Sequence, residues 1–168
     1  MRDAHAALRQ LHADVDRAAA ALAERHRGRL RCGRGCSACC VDGLTVFEVE
    51  AERIRRAHPE LLANGAPHPA GACAFLGDAG ECRVYADRPY VCRTQGLPLR
   101  WLEEGPGDTA VERRDICPLN EAGEPLEALP EDACWTLGPF EERLRGLQDA
   151  LSPGAPRRVM LRELFQRR

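Results

Sequence analysis

The sequence predicts a small α+β domain: a cysteine-rich core of short β-hairpins and long loops, flanked by N- and C-terminal helices. Three observations lead there. Apolar residues recur every three or four positions at both ends of the chain. The middle carries two hairpin-like stretches among Pro- and Gly-rich loops. Strands never alternate with long helical segments, and no internal repeat is present. At 168 residues the chain predicts a single domain, 1–168, with an N-terminal helix over 1–28, a cysteine core over 32–118 and C-terminal helices over 137–166.

Taken in order, Leu8, Leu11, Val15, Ala18 and Leu22 form one stripe of an amphipathic helix that Gly28 ends. A Gly-rich cysteine loop follows over 32–43. "TVFEVEAERIRRAHP" opens with Thr45 and carries Glu48 three residues later, the pattern of a capping box, and its helix should stop before Pro59. After a Pro/Gly/Ala linker, "CAFLGDAGECRVY" reads as a hairpin turning at Asp78–Ala79–Gly80. "ADRPYVCRTQG" reads as a short helix capped by Asp87. A second hairpin turns at the Gly-Pro-Gly-Asp of 105–108. Two helices close the chain, one carrying Phe140, Leu144, Leu147 and Leu151, the other Met160, Leu161, Leu164 and Phe165.

A formal charge of −2 and a pI near 6.2 leave no basic excess to neutralise phosphates, which argues against a nucleic-acid partner. Every non-histidine basic residue is Arg, a bias from which the sequence alone supports no functional conclusion. The N-terminus is charged throughout and lacks the apolar stretch of a signal peptide. No uncharged apolar run approaches the roughly 20 residues of a membrane span. The expected location is the cytoplasm, where thiols stay reduced. Nine cysteines there, an odd number, point to metal binding or thiol chemistry more than to a disulfide framework.

Four of the nine, Cys32, Cys36, Cys39 and Cys40, crowd into "CGRGCSACC". Cys36 and Cys39 have the C-x2-C spacing by which a tight loop aims two thiolates at one metal. Gly33 and Gly35 let backbone amides approach sulfur. Cys73 and Cys82 sit on opposite arms of the first hairpin, and Cys92, Cys117 and Cys134 come singly. Side chains of neighbouring residues diverge, so Cys39 and Cys40 imply either two sites sharing one loop or one structural thiol. Cys32-x3-Cys36-x2-Cys39 also has the spacing of radical S-adenosylmethionine enzymes, but the chain lacks their βα alternation and has Ala38 before the last cysteine.

The order "CGRGCSACC", "CAFL", "GECRVYADRPYVCR", "CPLN" resembles the CxxCxxCC cysteine-cluster family, the YkgJ-type group described as zinc- or iron-chelating proteins. The adjacent pair, a G-x-C-x-x-Y element and an R-P-x-x-C-R element occur in the family's order, with x3 where the family name has x2. The resemblance implies a metal set of Cys32, Cys36, Cys39, Cys40, Cys73, Cys82, Cys92 and Cys117, with Cys134 left as a core thiol. It implies no settled reaction: some members look ferredoxin-like, and a flagellin lysine methylase carries a related domain.

All-thiolate sites suit both zinc and iron–sulfur clusters. Zinc favours closed tetrahedral sites built from paired knuckles; clusters accept ligands from scattered loops, and Cys117-Pro118 matches the ending of bacterial ferredoxin motifs. The expected cofactor is an iron–sulfur cluster, such as 4Fe–4S, with Zn2+ as the alternative. The corresponding functions are electron transfer or a cluster-dependent reaction with a redox partner, or a zinc-stabilised interaction module; a methylase-like enzyme is the third. Arg31, Arg34, Arg83 and Arg93 lie beside or between cysteines and are candidates to donate to sulfur or to screen its charge. His5, His12, His26, His58 and His68 read as surface or capping residues, Glu48, Glu50 and Glu52 as cap and solvated face, and Tyr85 and Tyr90 as core anchors. Trp101 and Trp135 read as packing residues of the second hairpin and C-terminal helices. No catalytic residue is assigned.

Overall fold

The computed structural model describes residues 2–33, 35–107, 109–154 and 158–165. It is mixed α+β, with a long N-terminal helix, small sheets and a C-terminal helix, and it divides into two compact units. No helix among the described residues is long and apolar enough to cross a membrane. The first helix, α1 (Arg2–Arg25), buries Leu8, Leu11 and Val15 along the stripe read from the sequence.

One unit comprises Met1–Leu11, Gly33–Pro89 and Leu144–Arg168. Strand β1 (Thr45–Phe47) runs directly into helix α2 (Glu48–Ala57), and α3 (Pro59–Asn64) follows with Pro at its start. Thr45 therefore caps nothing: it is a strand residue, and Phe47 occupies the helix N-cap without a side-chain bond. The orphan amide of Val49 is met from a distance by the fully buried Gln148, whose Oε1 accepts it at 3.0 Å. Glu48 instead receives Arg55 at 2.6 Å, and Glu50 is buried, not solvated.

The expected last helix is also different. Arg158–Met160 forms strand β5, antiparallel to β1 with Val159 opposite Val46, and Leu161–Phe165 is a 3-10 turn. The apolar positions are buried as the pattern asks, because Leu161 and Leu164 join Val46, Ala51, Ile54, Phe75, Val84 and Val159 in one core. Cys73 and Cys82 pack against that core. The first hairpin shrinks to one bridge, Leu76 opposite Cys82, closed by Gly77 and Glu81. Tyr85 lies 64% exposed under the Arg88 guanidinium and is no core anchor.

The other unit comprises His12–Cys32 and Tyr90–Arg143. Strands β2 (Leu99–Glu104) and β3 (Ala110–Asp115) make the second hairpin as expected, though Asp108 of its turn lies outside the described residues. A short β4 (Trp135–Thr136) adds to β2 in parallel. Helix α4 (Tyr90–Arg93) precedes the hairpin, and α5 (Pro139–Leu151) runs from this unit into the Leu144–Arg168 segment. Trp135 stacks on Phe140 at 5.0 Å and donates its indole N–H to the Tyr90 hydroxyl at 2.9 Å. Trp101 is tied instead to Glu103.

The stretch between β3 and β4 has no long ladder to satisfy its carbonyls, so cations do it. Buried Arg29 donates to the carbonyls of Asn120, Glu121 and Glu124, and Arg114 to those of Leu126 and Leu129. His26 is buried against the Ala133 carbonyl at 2.7 Å, and His5 and His12 are buried too, contrary to the surface role expected of them.

Asp87 does not cap α4. It accepts Arg53 Nε and His58 Nε2, each at 2.9 Å. Burial pushes the Asp87 carboxyl up, but the bonds from Arg53 and His58 outweigh it and hold the group below the usual carboxylate range. Asp87→Asn should therefore cost about 1–3 kcal/mol in denaturant unfolding at pH 7. A depressed pKa means the wild-type advantage is complete at neutral pH and fades as pH falls below about 4. The gap between wild type and variant should accordingly close in melts at pH 3.

Candidate metal centre

Two tight turns present the crowded cysteines. Cys36 N–H donates to the Gly33 carbonyl at 3.0 Å and Cys40 N–H to the Ser37 carbonyl at 2.8 Å, a tight turn closing at each of these cysteines. Gly35 takes φ +87°, and Gly80 of the Gly77–Glu81 turn takes φ +79°. A Cβ on Gly80 would meet the Gly35 carbonyl oxygen at 2.9 Å, so these glycines let turn and cysteine loop touch through backbone. A further bond, Cys73 N–H to the Cys40 carbonyl at 2.9 Å, stitches the two segments together.

The outcome is that Cys40 lies within electrostatic reach of Cys39, Cys73 and Cys82. Burial first, then the charges of Cys39, Cys73 and Cys82 and a hydrogen bond with Cys39, push the Cys40 thiol up to about 12. The adjacent thiols thus do not diverge in this loop. Burial also raises Cys82, against the pull of the Val84 N–H on its sulfur and of the Arg88 and Arg83 charges. Among the described residues no three Cys, His, Asp or Glu side chains close into a complete ligand set. The donors are nonetheless right for a thiophilic ion: several thiols, an amide N–H on one sulfur, and guanidinium charge nearby.

The remaining cysteines divide. Cys36 shares the coiled loop with Cys39 and Cys40. Cys32, Cys92 and Cys117 belong to the other compact unit. Cys92 lies in α4; Cys117 opens the 3-10 turn Pro118–Asn120. Cys32 Sγ accepts an amide hydrogen from Asn120 at 3.2 Å. Cys134 stands apart, buried with Leu129 and Ala133. No disulfide joins any of the nine cysteines, all of which lie among the described residues. Arg93 is buried in an ion pair with Asp16 at 2.6 Å; Arg83 donates to the Ala66 and Ala74 carbonyls, and its charge acts on Cys82, the screening read from the sequence; Arg34 lies outside the described residues.

Sequence reasoning missed the clamp on these loops. Arg162, far along the chain, makes a two-pronged contact with Asp42: Nε to Oδ1 at 3.0 Å and Nη2 to Oδ2 at 2.9 Å. Its remaining donors reach the His68, Pro69 and Ala72 carbonyls. Asp42 also accepts the Gly43 and Gly71 N–H groups, and these backbone bonds lead the causes that hold its carboxyl low. One ion pair thus straps the segment after Cys40 to the segment before Cys73. Only the lone Arg among apolar residues in "VMLRELF" hinted at it.

Arg162→Ala leaves every cysteine in place yet should weaken zinc binding about tenfold in chelator competition; unchanged affinity would refute the clamp's role. A metal bound through Cys40 would have to displace its proton, which the raised thiol keeps at neutral pH. Affinity should therefore rise with pH, by about tenfold per unit for each proton displaced, in competition titrations between pH 6 and pH 8.

No curated protein and no solved structure matches the chain. One family profile does, over residues 31–118, more than half of the chain and every cysteine from Cys32 to Cys117. That family carries the description "putative zinc- or iron-chelating domain". The chain belongs to the CxxCxxCC family.

Proposed function

We propose that the chain is an iron–sulfur protein serving electron transfer or a cluster-dependent reaction. The supporting observation is that the adjacent Cys39, together with Cys73 and Cys82, lies close enough to Cys40 to act on its charge. A neighbouring pair turned onto one group suits a centre with several metal corners better than a single tetrahedral ion. These four residues, with Cys36 of the same loop, would hold the cluster, Cys32, Cys92 and Cys117 of the other unit would serve a second metal, and what the cluster supplies when bound is one-electron redox chemistry. A thiolate-held cluster carries net negative charge, which the Arg83 and Arg88 charges beside Cys82 offset. The Val84 N–H on Cys82 sulfur is the kind of bond that tunes a cluster's potential. Reduced thiols and this chemistry fit a cytoplasmic protein with a redox partner and no nucleic-acid partner.

Anaerobic purification with iron, sulfide and zinc analysis decides between the readings. A brown protein with iron and acid-labile sulfide is expected. A colourless one with stoichiometric zinc would replace this reading with a zinc-stabilised interaction module. Cys36→Ser, Cys39→Ser and Cys40→Ser should each lose metal and much of the fold, whereas Cys134→Ser should be mild, costing about 1 kcal/mol. Equal metal content in all four variants would defeat the assignment.

A further inference from the structure

We infer that Asn120 is a positioning residue that holds Cys32 as a metal-binding sulfur through an amide-to-sulfur hydrogen bond. Asn120 lies two residues beyond the family match and has no exposed surface. Its orientation is forced. Oδ1 accepts the Arg31 backbone N–H at 2.7 Å, so the other branch must be the NH2 group. One hydrogen of that group goes to the Gly96 carbonyl at 2.8 Å and the other to Cys32 Sγ at 3.2 Å. A flipped amide would set its NH2 against the Arg31 N–H and its oxygen against the Gly96 carbonyl, losing all three bonds.

The surroundings are shaped for this sulfur. Gly96 adopts φ +92°, and a Cβ there would sit 2.7 Å from Cys32 Sγ and 3.2 Å from Asn120 Nδ2. The Asn120 backbone N–H bonds the Cys117 carbonyl at 2.7 Å, and Arg29 Nε donates to the Asn120 carbonyl at 3.1 Å. One buried residue therefore fixes the first cysteine of the core by its side chain and the turn after the last by its backbone. A neutral thiol is a weak acceptor, whereas a metal-bound sulfur carries negative charge and accepts strongly. The bond consequently favours the liganding form of Cys32 and withdraws charge from it when bound.

The inference rests on thiolate metal binding, the common part of the proposed function, whichever metal is native. Cadmium-113 loaded into the full wild-type chain tests it directly. Uptake is read from the thiolate-to-cadmium ultraviolet band, and one Asn120 side-chain amide proton should show a scalar correlation to cadmium through Cys32 sulfur. Asn120→Asp keeps the acceptor for Arg31 but removes both donors. It should abolish the correlation and weaken cadmium binding about 10- to 100-fold, with circular dichroism reporting that the fold is kept. If that variant fails to fold, the wild-type correlation alone decides. Cadmium bound without the correlation overturns this inference and leaves metal binding standing; no cadmium bound overturns both.

Discussion

Thiols gathered in a half-buried place resist ionising together, and that constraint governs this molecule. Cys40 is the sharpest case: burial and three neighbouring sulfurs drive its thiol up to about 12. Without a cation, the group is a set of protonated sulfurs with poor hydrogen-bonding ability on a core too small to bury them fully. A thiophilic metal removes the protons and the repulsion at once, and ties together loops that have little regular structure of their own.

What organises those loops beforehand is the exchange of backbone carbonyls for guanidinium donors. Arg29, Arg83, Arg114 and Arg162 each serve two or more backbone carbonyls outside the strands and α-helices. A planar fork of five donors can reach several acceptors from one stem, which a single ammonium does less well. The absence of Lys, silent in the composition, thus acquires a structural use. The guanidiniums near cysteines in sequence take such partners too: Arg83 holds carbonyls and Arg93 pairs with Asp16.

Errors in the sequence reading share a cause. Thr45 and Glu48 have the spacing of a capping box, but β5 pairs with β1 and pulls Thr45 into a strand, leaving Gln148 to meet the helix amide. Met160 to Phe165 have helical spacing, yet the same pairing extends the first residues and tightens the rest. Asp87 precedes a short helix as a cap would, but Arg53 and His58 offer a charged partner and win. His5, His12 and His26 looked like surface residues because nothing local shows that their helix is covered. Each time a long-range partner outbid a local one.

The sequence by itself determined the α+β class, the stripe of α1, the β2–β3 hairpin and the family, because these depend on near neighbours and on cysteine order. It also singled out the cysteines that match the family's set. Only the tertiary structure showed which thiols act on one another, Cys39, Cys73 and Cys82 on Cys40, and which amide meets Cys32, that of Asn120. It alone revealed Arg162 and Asn120, whose partners lie 120 and 88 positions away. Spacing encodes which side of a local element a residue faces; the convergence of distant loops depends on backbone paths and buried hydrogen bonds that no short window contains.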